Sequence, residues 1–171
     1  MADYEIIKPK VDLRKKIKIL PNNSGFDPVA KAEEAMERLS YNFGNWMRDE
    51  VAKLQYAWEQ AEKADLNEES VDKLFRSCHD IKGQAHTMGF PLAGLIASSM
   101  CELIERIPDP EKLPVDLLRK HVQSIAAVVN ENAREEDNLI GKQLAEELTV
   151  ITEDYIEKNA PPENEEAESE C

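Results

Sequence analysis

The chain has 171 residues, 42% of them hydrophobic and 33% charged, which fits one folded domain with extensions at its ends. Its formal net charge of −14 excludes broad binding to nucleic acid or to an anionic membrane unless a local basic patch supplies it. Cys78, Cys101 and Cys171 form no Cys-x-x-Cys pair and read as reduced thiols, the start "MADYEIIKPK" carries charges where a signal peptide needs an apolar run, and no stretch approaches the roughly 20 apolar residues that cross a bilayer, so a cytoplasmic protein is expected.

Only six glycines occur, aromatic residues make up 6%, and the 3.6-residue period recurs while strict alternation is scarce. The pattern is all-α. Residues 1–25 differ. "KPKVDLRKKIKILPNNSG" is basic, holds two prolines and ends in turn residues, so it reads as a flexible arm. A strand at Ile17–Leu20 would need a partner. Docking to an acidic partner is the functional alternative for this arm.

Residues 26–159 read as the helical bundle. In "FDPVAKAEEAMERL", Asp27 can cap a helix and Pro28 suits its first turn. The apolar stripe Val29, Ala32, Met36, Leu39 continues through Phe43, Met47, Val51, Leu54, Trp58 and Ala61, so one helix from 28 to about 64 is expected. Gly44 is its weak point, where it would kink or divide in two. Trp46 and Trp58 read as core anchors. Asn67 caps the next helix, 68–88, which "GFP" ends. Pro91 opens a helix over 91–107, before "PDPEKLP". Pro114 opens one over 114–133, with the stripe Leu118, Val122, Ile125, Val129; His121, beside that stripe, reads as structural or exposed. A last helix, 138–158, carries Ile140, Leu144, Leu148, Ile151 and Tyr155. Residues 160–171 are acidic and proline-bearing, a disordered tail. Short loops between helices of this length favour an antiparallel up-down four-helix bundle from 45–64, 68–88, 91–107 and 114–133. The additional N- and C-terminal helical segments would pack on its ends or sides, or pair with a second copy.

The stretch "SCHDIKGQAHTMGF", residues 77–90, carries the candidate chemistry. On a wheel of 100° per residue, Val71, Leu74, Cys78, Ile81, Ala85 and Met88 form one seam facing the core. His79 lies roughly 130° from its centre by the same arithmetic. Arg76, Gly83 and His86 are also on the outer side, with Lys82 at the flank. Gly83 costs a helix about 1 kcal/mol relative to alanine, and packing against the core does not require it there. Metal chelation is disfavoured, because His79 and His86 are two turns and about 10.5 Å apart along the axis, whereas paired ligands sit at i, i+4. No nucleotide loop, nucleophile elbow or carboxylate pair accompanies the histidines, which weakens general-base catalysis. A nucleophile fits better. An outward imidazole offers a free lone pair near neutral pH. Lys82 one turn on, and Arg76 one turn back, could offset the charge of an incoming phosphoryl group. Gly83 would leave room for a partner to close over the ring.

"HDIKGQAHTMG", followed by "LIASSMCELIE", resembles the histidine-containing phosphotransfer (HPt) family over about 45–133. The family pattern is a histidine, an aliphatic residue two on, Lys-Gly at three and four, and a glycine ten on; here these are His79, Ile81, Lys82, Gly83 and Gly89. The helix end Cys101–Glu105 is also similar. Gln84 departs from the small residue usual after Lys-Gly, and His86 is an unusual addition without a Lys-Gly of its own. The resemblance implies that His79 accepts a phosphoryl group from one receiver-domain aspartate and donates it to another. Lys82 would stabilise the phosphate charge and Gly83 would give the receiver access. Phe75, Arg76, Gln84 and His86 would face the partner. Such a protein is a carrier, not an enzyme; it has no bound cofactor, and Mg²⁺ is expected on the partner receiver. Its partners would be receiver domains of response regulators or a hybrid sensor histidine kinase, with no nucleic acid and no membrane. A monomer is expected, with a dimer as the alternative. The absence of an ATP-binding segment argues against a chemotaxis-type kinase. A helical adaptor or inhibitor that binds a signalling partner without phosphorylation is the competing function.

Overall fold

The computed structural model describes residues 27–134 and 138–161. The expected basic arm, the strand at Ile17–Leu20, most of the acidic tail and Cys171 lie outside them. Five helices follow in order: α1 (Pro28–Lys63), α2 (Glu68–Gln84), α3 (Pro91–Arg106), α4 (Val115–Asn130) and α5 (Leu139–Asn159), with a 3-10 turn at Pro110–Lys112 between α3 and α4. Among the described residues there is no strand.

The backbone divides into two compact units, up to Glu37 and from Arg38 onward. In the first, the Asp27 carboxylate caps α1 by accepting from the Val29 and Ala30 amides at 2.9 and 3.3 Å. Val29 and Met36 are exposed.

In the second unit, α1 buries Gly44, Met47, Val51, Leu54, Trp58 and Ala61. One sequence expectation changes here. Trp46 is 42% exposed and is not a core anchor. Its neighbour Met47 faces the core, and one residue turns the helix by 100°, so the two cannot share that face. Trp46 packs on Phe43 instead, ring centroids 5.7 Å apart. α1 is the single helix expected over 28 to about 64, and it runs unbroken through Gly44. A Cβ at Gly44 would stand 2.7 Å from Nη2 of Arg134, whose guanidinium lies over the Phe90 ring at 4.8 Å. The glycine is a slot for that side chain.

α2 begins where expected, with Asn67 Oδ1 accepting from the Ser70 amide at 2.9 Å. Its regular part ends at Gln84, and one further turn closes on Gly89. The Phe90 amide donates to the Ala85 carbonyl and the Gly89 amide to the His86 carbonyl, at 2.8 and 3.0 Å. This six-to-one, five-to-two pair is a Schellman cap, and it requires the left-handed φ of +80° that Gly89 adopts. Asn132, at φ +53°, ends α4 in the same way, short of the expected 133.

α3 is the central helix and packs against α2, α4 and α5. α1 meets α4 where Arg119 donates to Glu62 Oε1 at 2.9 and 3.0 Å and covers the Trp58 ring at 5.9 Å. α5 packs on α3 and α4, as a terminal helix expected on the side of the bundle. It buries Gly141, Ala145, Leu148, Thr152 and Ile156, while Ile140 and Ile151 of the expected stripe are exposed. His121 anchors this arrangement and is fully buried. Its Nδ1–H donates to the Leu117 carbonyl at 2.8 Å. That carbonyl can only accept, so Nε2 is left as the acceptor for the hydroxyls of Ser99 on α3, at 3.2 Å, and Thr152 on α5, at 3.3 Å.

Candidate functional site

The apolar seam of α2 is buried through Val71, Leu74, Cys78, Ile81 and Ala85, with Met88 half-buried. The rest of the helix therefore faces outward. His79, Lys82, Gly83, Gln84, His86 and Arg76 are all exposed, and Phe75 is half-buried at the seam's edge. The fold thus leaves these side chains accessible outside the seam, with Gln84 on the flank away from His79 and His86 on the capping turn beyond the regular helix.

Among these residues the roles differ. The Phe75 and His79 rings lie 5.8 Å apart between centroids, tilted by 35°, which gives the imidazole a wall on its N-terminal side. Arg76 is engaged by Asp72 at 2.8 Å, so its charge is already partly used. Lys82, one turn beyond His79, has no ion pair or side-chain hydrogen bond among the described residues. Lys53, Lys73, Arg119, Lys142 and Lys158, by contrast, each pair with a carboxylate. A Cβ at Gly83 would meet nothing within 4 Å. No packing within the described structure calls for a glycine here.

Behind the histidine, the Cys78 thiol donates to the Ala97 carbonyl at 3.3 Å. The neighbouring Cys101 thiol and its burial push its pKa up, so it is a protonated packing group rather than a nucleophile. Among the described residues no three His, Cys, Asp or Glu side chains converge as metal ligands, and no described helix is long and apolar enough to cross a membrane.

Two clefts flank the histidine face. One, of about 580 Å³, lies over Val71, Phe75 and Ile104, and its charged lining is wholly acidic: Glu68, Glu69, Asp72 and Glu105. The other, of about 430 Å³, lies over Pro91, Leu92, Gly94 and Leu95 and carries Lys82, His86 and Lys142. Sequence reasoning missed Leu95 and Lys142. Leu95 could have been found as the large apolar residue off the buried face of α3; Lys142 is brought there only by the packing of α5 on α3.

The imidazole is thus exposed on the helix surface, with Lys82 one turn on and open space at Gly83. No curated protein and no solved structure matches the chain. The Hpt domain family model matches residues 38–149, a span that includes all of α2 to α4 and the first half of α5. The chain belongs to the Hpt domain family, whose members carry phosphoryl groups on histidine in exchange with receiver domains.

Proposed function

We propose that this protein is a phosphorelay intermediate in which His79 carries a phosphoryl group between aspartates of receiver domains. The observation that carries the reading is the exposure of the His79 ring on the outer face of α2, with unpaired Lys82 one turn on and open space at Gly83. The outward ring nitrogen uses its lone pair to form the N–P bond. The aspartyl O–P bond breaks as it forms, and the electron pair stays on the receiver's carboxylate. Lys82 faces the negative charge brought to the helix surface and lowers its cost. The receiver contributes its carboxylates and Mg²⁺, which supplies charge neutralisation at phosphorus when bound there.

Phe75, Arg76, Gln84 and His86 face the partner around this centre. Partners are receivers of response regulators or of a hybrid sensor histidine kinase. The protein acts as a monomer in the cytoplasm, on helices that run up and down as an antiparallel bundle. The test is incubation with a receiver domain phosphorylated by radiolabelled acetyl phosphate. An acid-labile, base-stable label on the wild-type protein, lost in His79→Gln, supports the assignment. A label that persists in His79→Gln or maps to His86 overturns it, and no label with any receiver favours an unphosphorylated adaptor.

A further inference from the structure

The two clefts beside His79 differ in sign, and this bears on where a receiver can sit. A receiver must bring the carboxylates that hold its own phosphoryl group over the imidazole. On the Phe75 side, those carboxylates would meet a cleft whose charged lining is Glu68, Glu69, Asp72 and Glu105, of which Glu69 and Asp72 pair with Lys73 and Arg76 while Glu68 and Glu105 have no ion pair among the described residues. On the other side they meet Lys82, His86 and Lys142, the last only loosely paired with Glu146 at 3.8 Å. Like charges brought together at an interface disfavour a docking pose, and opposite charges steer toward one.

The same side offers the apolar area that a docked partner needs. Leu95 is 57% exposed at the cleft, beside Pro91 and Leu92. An unburied leucine beside two lysines is the composition of an apolar anchor with a polar rim. Lys82 belongs both to this cleft and to the phosphoryl site, so the two surfaces are continuous.

We infer that the receiver's footprint extends from His79 toward the first turn of α5. One apolar receiver side chain sits over Leu92 and Leu95, and receiver carboxylates face Lys82 and Lys142. This rests on the phosphotransfer reading and adds to it a role for α5: the fifth helix is part of the recognition surface, and Leu95 and Lys142 are specificity-determining residues that touch the partner without touching phosphorus.

The experiment takes the full chain and the receiver domain that loads it fastest, charged with radiolabelled acetyl phosphate, and separates KM from kcat. Leu95→Arg should raise KM for the phosphorylated receiver about tenfold, as expected for an anchor lost from an interface centre. Lys142→Glu should raise it about fivefold, with a weaker salt dependence than the wild type. In both, kcat should stay within about twofold, since neither residue reaches the transferring group. Lys158→Glu, which changes net charge equally at the far end of α5, should leave KM unchanged. Unchanged KM in both Leu95→Arg and Lys142→Glu, with the wild type still loaded at His79, overturns the footprint and leaves the phosphotransfer reading standing. A wild type that no receiver loads removes both.

Discussion

The ring of Phe75 stands 5.8 Å from the ring of His79, one helical turn before it on the same outer edge of α2. The contact restricts the imidazole on one side and leaves its other side to Lys82. Phe75→Ala should keep the label at His79 but slow its formation about fivefold, the equivalent of one aromatic contact. Phe75→Tyr should retain most of the rate. Single-turnover transfer from a labelled receiver measures both, and equal rates in wild type and Phe75→Ala would remove any role for the contact in positioning the ring.

Gly83 should separate stability from function. Nothing lies within 4 Å of a Cβ built there, so Gly83→Ala should stabilise the fold by about 1 kcal/mol through helix propensity alone. A larger side chain, as in Gly83→Leu, should leave the thermal midpoint at or above the wild-type value while slowing loading by a receiver more than tenfold, because the gap lies on the side from which the partner approaches. Thermal melts and transfer rates on the same preparations test this. A loss of stability in Gly83→Ala would show that the glycine serves the fold.

Gly44 is the counter-case. There the Cβ would displace Arg134, and the cation–π contact of Arg134 with Phe90 would be disturbed. Gly44→Ala should therefore gain little or nothing despite its better helix propensity. In an Arg134→Ala background the same change should gain about 1 kcal/mol. The double-mutant cycle, read by chemical denaturation, should give a coupling energy clearly different from zero.

Lys82→Ala should slow loading of His79 about tenfold, in line with losing one charge-assisted contact to the phosphoryl group. Lys82→Arg should recover part of that loss. The fold should be indifferent, since Lys82 has no partner among the described residues. Transfer rates against salt concentration distinguish a contact at phosphorus, which is weakly screened, from a general attraction, which is not.

His121 should make stability depend on pH. Burial lowers its pKa from the ordinary 6.5, although its bond to the Leu117 carbonyl works the other way. Between the lowered and the ordinary value the unfolded chain therefore binds more protons than the folded one. The contribution is complete above about pH 6.5 and is lost as pH falls from there through the lowered folded value. Protonation at Nε2 would also turn an acceptor shared by Ser99 and Thr152 into a donor. His121→Gln should be less stable at neutral pH and should lose much of this slope, measured as denaturation midpoints from pH 7.5 down to 5.

The seam of α2 could be read directly from the order of its residues. A 3-4 spacing from Val71 to Met88 dictates which side is buried, and it therefore turns His79 outward whatever the helix packs against. The caps at Asn67 and Pro91 and the break at Gly89 were legible for the same reason, because each acts on backbone within a few residues. What packing decided has no such local signature. Gly44 looked like a hinge until Arg134, ninety positions on, occupied its slot. Trp46, read as a core anchor, stands 100° from the stripe residue Met47 and stays 42% exposed against Phe43. α5 was expected at the periphery, and its union with α3 through His121 and Thr152 is what brings Lys142 beside Lys82. Periodicity reports the shape of one helix; the partner of each face is set by contacts between residues far apart in the chain, and only the folded molecule contains that information.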